Sequence, residues 1–464
     1  MLKRPFLLFA LLCAIAQSPV SAEIAPEDID KLTSASNESG LAYDIVKSLT
    51  VEVGPRIAGS KGDKLAVAWA ETKLQSLGFD KVYKQPVRVR NWSRGLAQAT
   101  VISPYEQKMV ITALGGSIAT PPEGYTEEVI MFDSLESLQE ATREQVEGKI
   151  VFINKKMQRH KAGKGYGPVV IGRSRGAIEA SKLGALAVII RSVGTANSRF
   201  AHTGAMRYSP TVEKIPAGAL SNADADTLES IFAAGKPVTM QVNMQAKEHG
   251  WQTSYNVIGE ITGTKYPEQV VLIAAHLDSW DEGTGALDDG AGVGIVTAAA
   301  KLIKDTLGAS ERTIRVVLYA NEEFGLIGAR QYVKENADDL KNIIVAAESD
   351  FGAGAIYRLD TRFDEKALPF VDKLIDVLAP LGIEKGNNNA TGGPDISMMP
   401  ALGVPVVSLR QDGTHYFDYH HTPDDTLDKI DPEALKQNQT AYALFTYMMA
   451  NGAVDPRPAP KQVK

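Results

Sequence analysis

Apolar positions along the chain fall into three successive textures. Across residues 26–77 they recur at helical spacing, with Leu65, Trp69, Leu74 and Leu77 in register and Gly78 as the stop. Inside that stretch, Gly54-Pro55-Arg56-Ile57-Ala58-Gly59-Ser60 carries the punctuation of a loop. Residues 81–89 and 97–102 alternate polar and apolar, as half-buried strands do. From about Gly95 to Ala246 the apolar runs shorten. Residues 148–153, 185–190 and 238–242 are predicted strands, and one clear helix is predicted over 176–183. This stretch reads as a separate β-rich domain inserted into the chain. From Tyr255 onward, continuous apolar runs at 269–275, 313–320 and 342–347 mark parallel strands buried on both faces. Helical stretches at 291–304 and 326–334 separate them. The pattern predicts an α/β fold: a doubly wound, mostly parallel sheet flanked by helices, interrupted by the β-rich insertion.

Composition narrows the chemistry. The 464 residues are 44% hydrophobic and 23% charged, ordinary for globular domains. A net charge of −7 argues against a nucleic-acid partner, which demands a basic surface. With one Cys and seven His, no thiolate metal site or disulfide framework can form, so any metal must be held by imidazole and carboxylate. Lys3 and Arg4, an apolar run over 6–16, and Val20-Ser21-Ala22 form a secretory leader pattern with a cut after Ala22. Its removal takes the only Cys, Cys13. A secreted or periplasmic protein is expected, without a stable membrane anchor, because the apolar run is too short to span a bilayer of about 30 Å.

Ligands of open α/β sheets bind at the carboxyl ends of strands. Here each predicted strand runs into a metal-capable group. The first reaches His276-Leu277-Asp278, followed by Gly285-Ala286-Leu287-Asp288-Asp289-Gly290. The second reaches Asn321-Glu322-Glu323-Phe324-Gly325, and the third Glu348-Ser349-Asp350-Phe351-Gly352. A fourth, over 404–410, leads to Tyr419-His420-His421-Thr422-Pro423-Asp424-Asp425-Thr426. Alone, each is an ordinary turn or helix start. Four at successive strand ends gather histidines and carboxylates on one rim.

These motifs, in this order, resemble the co-catalytic dizinc exopeptidases of the leucyl aminopeptidase and glutamate carboxypeptidase type. The runs Gly148-Lys149-Ile150-Val151 and 184–188 of the insertion resemble the protease-associated domain of that family. The resemblance implies two Zn2+. His276 and Asp350 would hold one, Glu323 and His421 the other, and Asp288 would bridge them. It prefers His421 over His420 and Asp288 over Asp289, a choice that spacing alone leaves open. Asp278 would orient His276, and Glu322 would act as general base on a metal-bridging water that attacks the peptide bond. The substrates implied are dipeptides or short peptides, and a homodimer is implied as the assembly. An aminopeptidase on longer peptides is the main alternative, ahead of a glutaminyl-cyclase-like acyltransferase or a non-catalytic binding homologue. The domains expected are a leader at 1–22, a catalytic domain in two parts (23–94 and 247–455) around the insertion at 95–246, and a flexible tail at 456–464.

Other features carry less. Asp395, in Thr391-Gly392-Gly393-Pro394-Asp395, is expected to border the substrate pocket or form a turn. Tyr416 and Tyr419 read as packing residues with an oxyanion role open. The basic run over 155–175 reads as a solvated loop. His160, His202, His249 and His415 have no metal-like company. The glycine-rich 283–294 fails the dinucleotide fingerprint, because Ile295 stands where the third glycine belongs. His-Glu-x-x-His is absent.

Overall fold

Two eight-stranded sheets organise the chain in a computed structural model that describes residues 24–458. The expected leader at 1–22 and the end of the expected tail, 459–464, lie outside the described residues. Within the tail, Arg457 pairs with Asp455.

The first sheet runs in the order Lys81–Ser93, Lys247–Ile261, Arg312–Tyr319, Tyr266–His276, Ile343–Glu348, Val406–Gln411, Ile356–Arg362, Glu384–Lys385. Its four central strands, from Arg312–Tyr319 to Val406–Gln411, are mutually parallel and almost wholly buried. Helices cover both faces. Ala291–Leu307, Pro432–Asn451, Leu41–Glu52 and Pro26–Glu38 share one apolar core, and Ile327–Glu335 packs into another on the opposite side. The parallel expectation therefore holds at the centre, and the flanks depart from it. Lys81–Ser93 and Lys247–Ile261 pair antiparallel, as do Lys247–Ile261 with Arg312–Tyr319 and Ile356–Arg362 with Val406–Gln411. Edge strand Lys81–Ser93 alternates buried and exposed positions, which suits a strand with one wet face.

The second sheet is drawn wholly from residues 97–244, in the order Gln107–Met109, Ala97–Ser103, Thr239–Met244, Tyr125–Phe132, Ile150–Ile153, Ala187–Arg191, Ala217–Leu220, Ile111–Ala113. The chain leaves the first sheet at Ser93 and returns at Lys247, and these two residues are register partners. The segment is less purely β than its short runs suggest. Four of its strands run parallel, and four helices accompany them. The helix expected over 176–183 is Gly167–Lys182, with Pro168 in its first turn and Val169, Gly172, Arg173, Gly176, Ala177 and Ala180 buried. Its glycines and cations disguised a buried face. Asn222–Ala233 was missed although Ser221 caps it by accepting from the Asp224 N–H.

No described helix is long and apolar enough to cross a membrane.

Candidate metal centre

The carboxyl ends of the four parallel strands converge. His276 is the last residue of its strand, and Asp350 stands two residues beyond the end of Ile343–Glu348. Glu322 and Glu323 follow Arg312–Tyr319, while His420 and His421 follow Val406–Gln411 and the short helix Tyr416–Tyr419. Asp288 and Asp289 lie in a tight turn, Ala286–Gly290, and are joined by a cis peptide bond. That turn feeds helix Ala291–Leu307, where a Cβ on Gly292 would lie 2.0 Å from the Ser349 carbonyl oxygen. The three described non-glycine residues with positive φ are Asn321, Leu326 and His421, at 58°, 61° and 63°. All three lie in the loops that carry the acidic and imidazole groups. Backbone held in this costly region is characteristic of functional sites.

Asp288 is the centre of the cluster. Its Oδ1 lies 3.1 Å from His276 Nε2, and its Oδ2 lies 3.2 Å from His421 Nε2. Asp350 Oδ1 is 3.6 Å from His276 Nε2, and Glu323 Oε2 is 3.1 Å from His421 Nε2. His276, Asp288 and Asp350 thus form one compact group of potential ligands and Asp288, His420 and His421 a second, which Glu323 joins through His421. His420 also reaches Asp288, its Nε2 being 3.5 Å from Oδ2, and it stacks on His421 at 3.5 Å between ring centroids. The two imidazoles differ at the other nitrogen. His421 Nδ1 lies 3.2 Å from the Thr203 carbonyl oxygen, whereas His420 Nδ1 is buried without a partner. A ligating histidine is normally fixed by a hydrogen bond from its second nitrogen, so the geometry favours His421.

Neighbouring groups hold these side chains in place. His276 Nδ1 lies 3.0 Å from the Asp278 carbonyl oxygen and 3.7 Å from its Oδ1. The Asp278 carboxylate instead accepts the Glu322 backbone N–H at 3.0 Å. Asp289 accepts from the His276 and Gly292 backbone N–H groups, and Asp425 accepts from Leu287 and Asp288. Trp280 donates its indole N–H to Glu323 Oε2 at 2.6 Å. Arg56 is wholly buried and donates to the carbonyls of Leu277, Thr284 and Gly285, pinning the loop between His276 and Asp288. Replacing Arg56 with Met strands these carbonyls and is expected to cost about 3–5 kcal/mol of stability, read as a lowered melting temperature. A loss below about 1 kcal/mol would contradict this role.

The cluster fits a pair of zinc ions. Asp278 Oδ2, Asp288 Oδ2 and Glu323 Oε1 are buried without hydrogen-bond partners, an expense that proteins seldom leave uncompensated. Imidazole nitrogens and carboxylate oxygens, with one carboxylate shared, are the donor set that two zinc ions take. Electrostatics agree. Burial opposes protonation of His421, but Glu323 and Asp288 outweigh it and push its pKa up to about 9. Burial likewise opposes protonation of His276, yet Asp350, Asp278 and Asp288 carry it well above the ordinary value. Burial lifts Glu322 well above the usual carboxylate range, helped by Asp350, Glu323 and Asp278.

If His276 and His421 are zinc ligands, zinc competes with the protons that their acidic neighbours favour. Each displaced proton penalises binding below its pKa, so metal affinity should rise with pH from 6 towards about 9. Calorimetry at pH 7 in two buffers of different protonation enthalpy should report net proton release on zinc binding. No release would contradict the assignment.

The cluster lines a cavity of about 600 Å³ whose opposite wall comes from the second-sheet segment, through Tyr166, Arg173, Ser174, Met206 and Arg207. Here the sequence reading needs correction. The basic run over 155–175 is not simply a solvated loop, because Arg173 is 7% exposed, with Nη1 3.4 Å from His421 Nδ1 and Nη2 donating to Tyr166 Oη. His202, set aside as lacking metal-like company, lies with Nδ1 2.7 Å from the His420 carbonyl oxygen. Asp395 is fully buried with both carboxylate oxygens unpartnered, its backbone N–H donating to Glu348. Tyr416 packs against Phe351, Phe417 and His420, while Tyr419 lies outside the cavity wall. Arg56, Arg173, Thr203, Trp280 and Asp425 were not singled out for these roles by the sequence. Only Asp425, inside the quoted Thr-Pro-Asp-Asp-Thr motif, had a local signal.

Comparison with known proteins agrees with this picture. Residues 256–446 match the model of peptidase family M28. Human carboxypeptidase Q is 38% identical over 410 residues, covering 88% of this chain and 85% of that protein. Among solved structures, a peptidase M28 precursor from Shewanella amazonensis SB2B superposes with a TM-score of 0.92 at 56% identity, covering 94% of this chain and 98% of that one. A zinc aminopeptidase from Bacillus subtilis shares the fold, with a TM-score of 0.61 at 21% identity, covering 87% of this chain and 93% of that one.

Proposed function

This chain belongs to peptidase family M28 and is a zinc metallopeptidase, and from that premise we propose that it is an extracytoplasmic exopeptidase for dipeptides and short peptides. The observation that carries the assignment of roles is the position of Asp288, one oxygen beside His276 and the other beside His421. In this reading His276 and Asp350 would hold one zinc, Glu323 and His421 would hold the other, and Asp288 would be available to both. Two zinc ions supply Lewis acidity, which lowers the pKa of water and polarises the peptide carbonyl. Glu322 takes the proton from the attacking water and returns it to the leaving amine. Asp278 sets the Glu322 backbone through the N–H it accepts, and its carbonyl fixes the His276 ring. Arg173 and Tyr166 form part of the cavity wall that the inserted segment contributes.

The leader pattern at residues 1–22 supports export. The position of the second sheet between Ser93 and Lys247 supports a protease-associated insertion. A homodimer is part of the same proposal, and a monomeric mass by light scattering would remove it.

The test is a peptide panel with the two-zinc protein. Free dipeptides should be hydrolysed, and a long peptide blocked at both ends should not. Cleavage inside the blocked peptide at a comparable rate would overturn the exopeptidase reading.

A further inference from the structure

Beside the catalytic cavity lies a second one of about 560 Å³, formed between strand Lys81–Ser93, the start of Lys247–Ile261 and the inserted segment. The two cavities share Met206 and Phe324 as walls. Phe324 directly follows the proposed ligand Glu323 and is held by contacts with Trp92 and Trp280, at 6.2 and 5.0 Å between ring centroids. Phe324 and Met206 thus form a wall common to the two cavities.

The second cavity has a distinct chemistry. Its floor is apolar and aromatic, with Trp92, Ile118, Tyr208 and Phe324. Tyr208 is fixed, donating to the Ile215 carbonyl and accepting from the Ile118 N–H. Arg90, Lys214 and Lys247 supply three cations against one anion, Glu248, which Arg90 already engages at 2.8 Å. Lys214 Nζ lies 5.4 Å from the Tyr208 ring centroid. Among the described residues, neither Lys214 nor Lys247 has a carboxylate within ion-pair distance. A smaller cavity of about 190 Å³ shares Asp350, Phe351 and Pro394 with the catalytic one and is lined by both Glu348 and Arg410. The lining beyond Phe324 is net cationic, which favours an anionic group of the substrate there.

We propose that the cavity beyond Phe324 is a distal subsite for a carboxylate on the C-terminal side of the scissile bond, held by Lys214 and Lys247. The enzyme therefore accepts substrates longer than a dipeptide and prefers an anionic end. The carboxylate can be the C-terminal group or an acidic side chain. This rests on the exopeptidase reading of the metal centre and adds substrate length and charge to it.

The experiment compares kcat/KM of the two-zinc enzyme on Leu-Gly, Leu-Gly-Gly, Leu-Gly-Gly-amide, Leu-Gly-Asp-amide and Leu-Gly-Asn-amide. Two exposed charge contacts, from Lys214 and Lys247, should favour the free tripeptide over its amide by about fivefold. Preference for Leu-Gly-Asp-amide over Leu-Gly-Asn-amide by a similar factor identifies a side-chain carboxylate as the occupant. The acid-to-amide ratio should fall to one or below in the Lys214→Glu/Lys247→Glu double variant, with the melting temperature confirming its fold. A ratio near one in the unmodified enzyme, an unchanged ratio in the variant, or hydrolysis of Leu-Gly alone overturns the subsite and leaves the exopeptidase reading standing. Failure to cleave any of the five peptides, Leu-Gly included, overturns both.

Discussion

Changing Glu322 to Gln is expected to lower kcat by about 10²–10⁴-fold while both zinc ions stay bound. The two side chains have the same shape, and the backbone of residue 322 is fixed by Asp278 through an N–H that the substitution leaves untouched. What disappears is the ability to accept a proton from the attacking water and to return it. Because the contribution lies in the transition state, KM should change little while kcat and kcat/KM fall together. Steady-state kinetics with metal analysis on the same preparation measure this. Full activity with two zinc ions bound would remove Glu322 from its role.

Asp288 to Ala should be at least as damaging, for a different reason. The Asp288 carboxylate is the group that the two sets of potential ligands share, with His276 on one side and His421 on the other. Without it, zinc content should fall from two per chain to one or fewer, and turnover should drop by more than about 10³-fold. The adjacent Asp289 supplies the contrast. Its carboxylate is spent on the backbone N–H groups of His276 and Gly292. Asp289 to Ala should therefore lower the melting temperature through two orphaned buried donors, a cost of about 1–3 kcal/mol for each. Equal zinc loss in the two variants would mean that the doubled aspartate had been divided wrongly.

The sequence made the rim of this site legible because its logic is local. Strands buried on both faces appear as unbroken apolar runs, and the motifs at their carboxyl ends identify themselves. His276, Asp288, Glu323, Asp350 and His421 all follow from that pattern together with family resemblance. The supporting groups are legible only through the fold. Thr203, whose carbonyl faces His421, is 218 residues away from it in the chain. Arg173 sat in a glycine- and lysine-rich run whose composition resembles a loop, yet the run enters a helix with a buried face. Arg56 belonged to a correctly read loop, but nothing in its neighbours announces that its guanidinium serves a turn more than 220 residues further on. Antiparallel pairing at the flanks of the first sheet was missed for a related reason, since strand direction is set by connections that include the whole insertion.

We propose that two zinc ions share Asp288, and anomalous diffraction from zinc-loaded crystals, recorded on both sides of the zinc absorption edge, will locate them. Two peaks are predicted, one among His276, Asp288 and Asp350 and the other among Asp288, Glu323 and His421. A single peak at full zinc loading, or a second peak away from Glu323 and His421, would contradict the account.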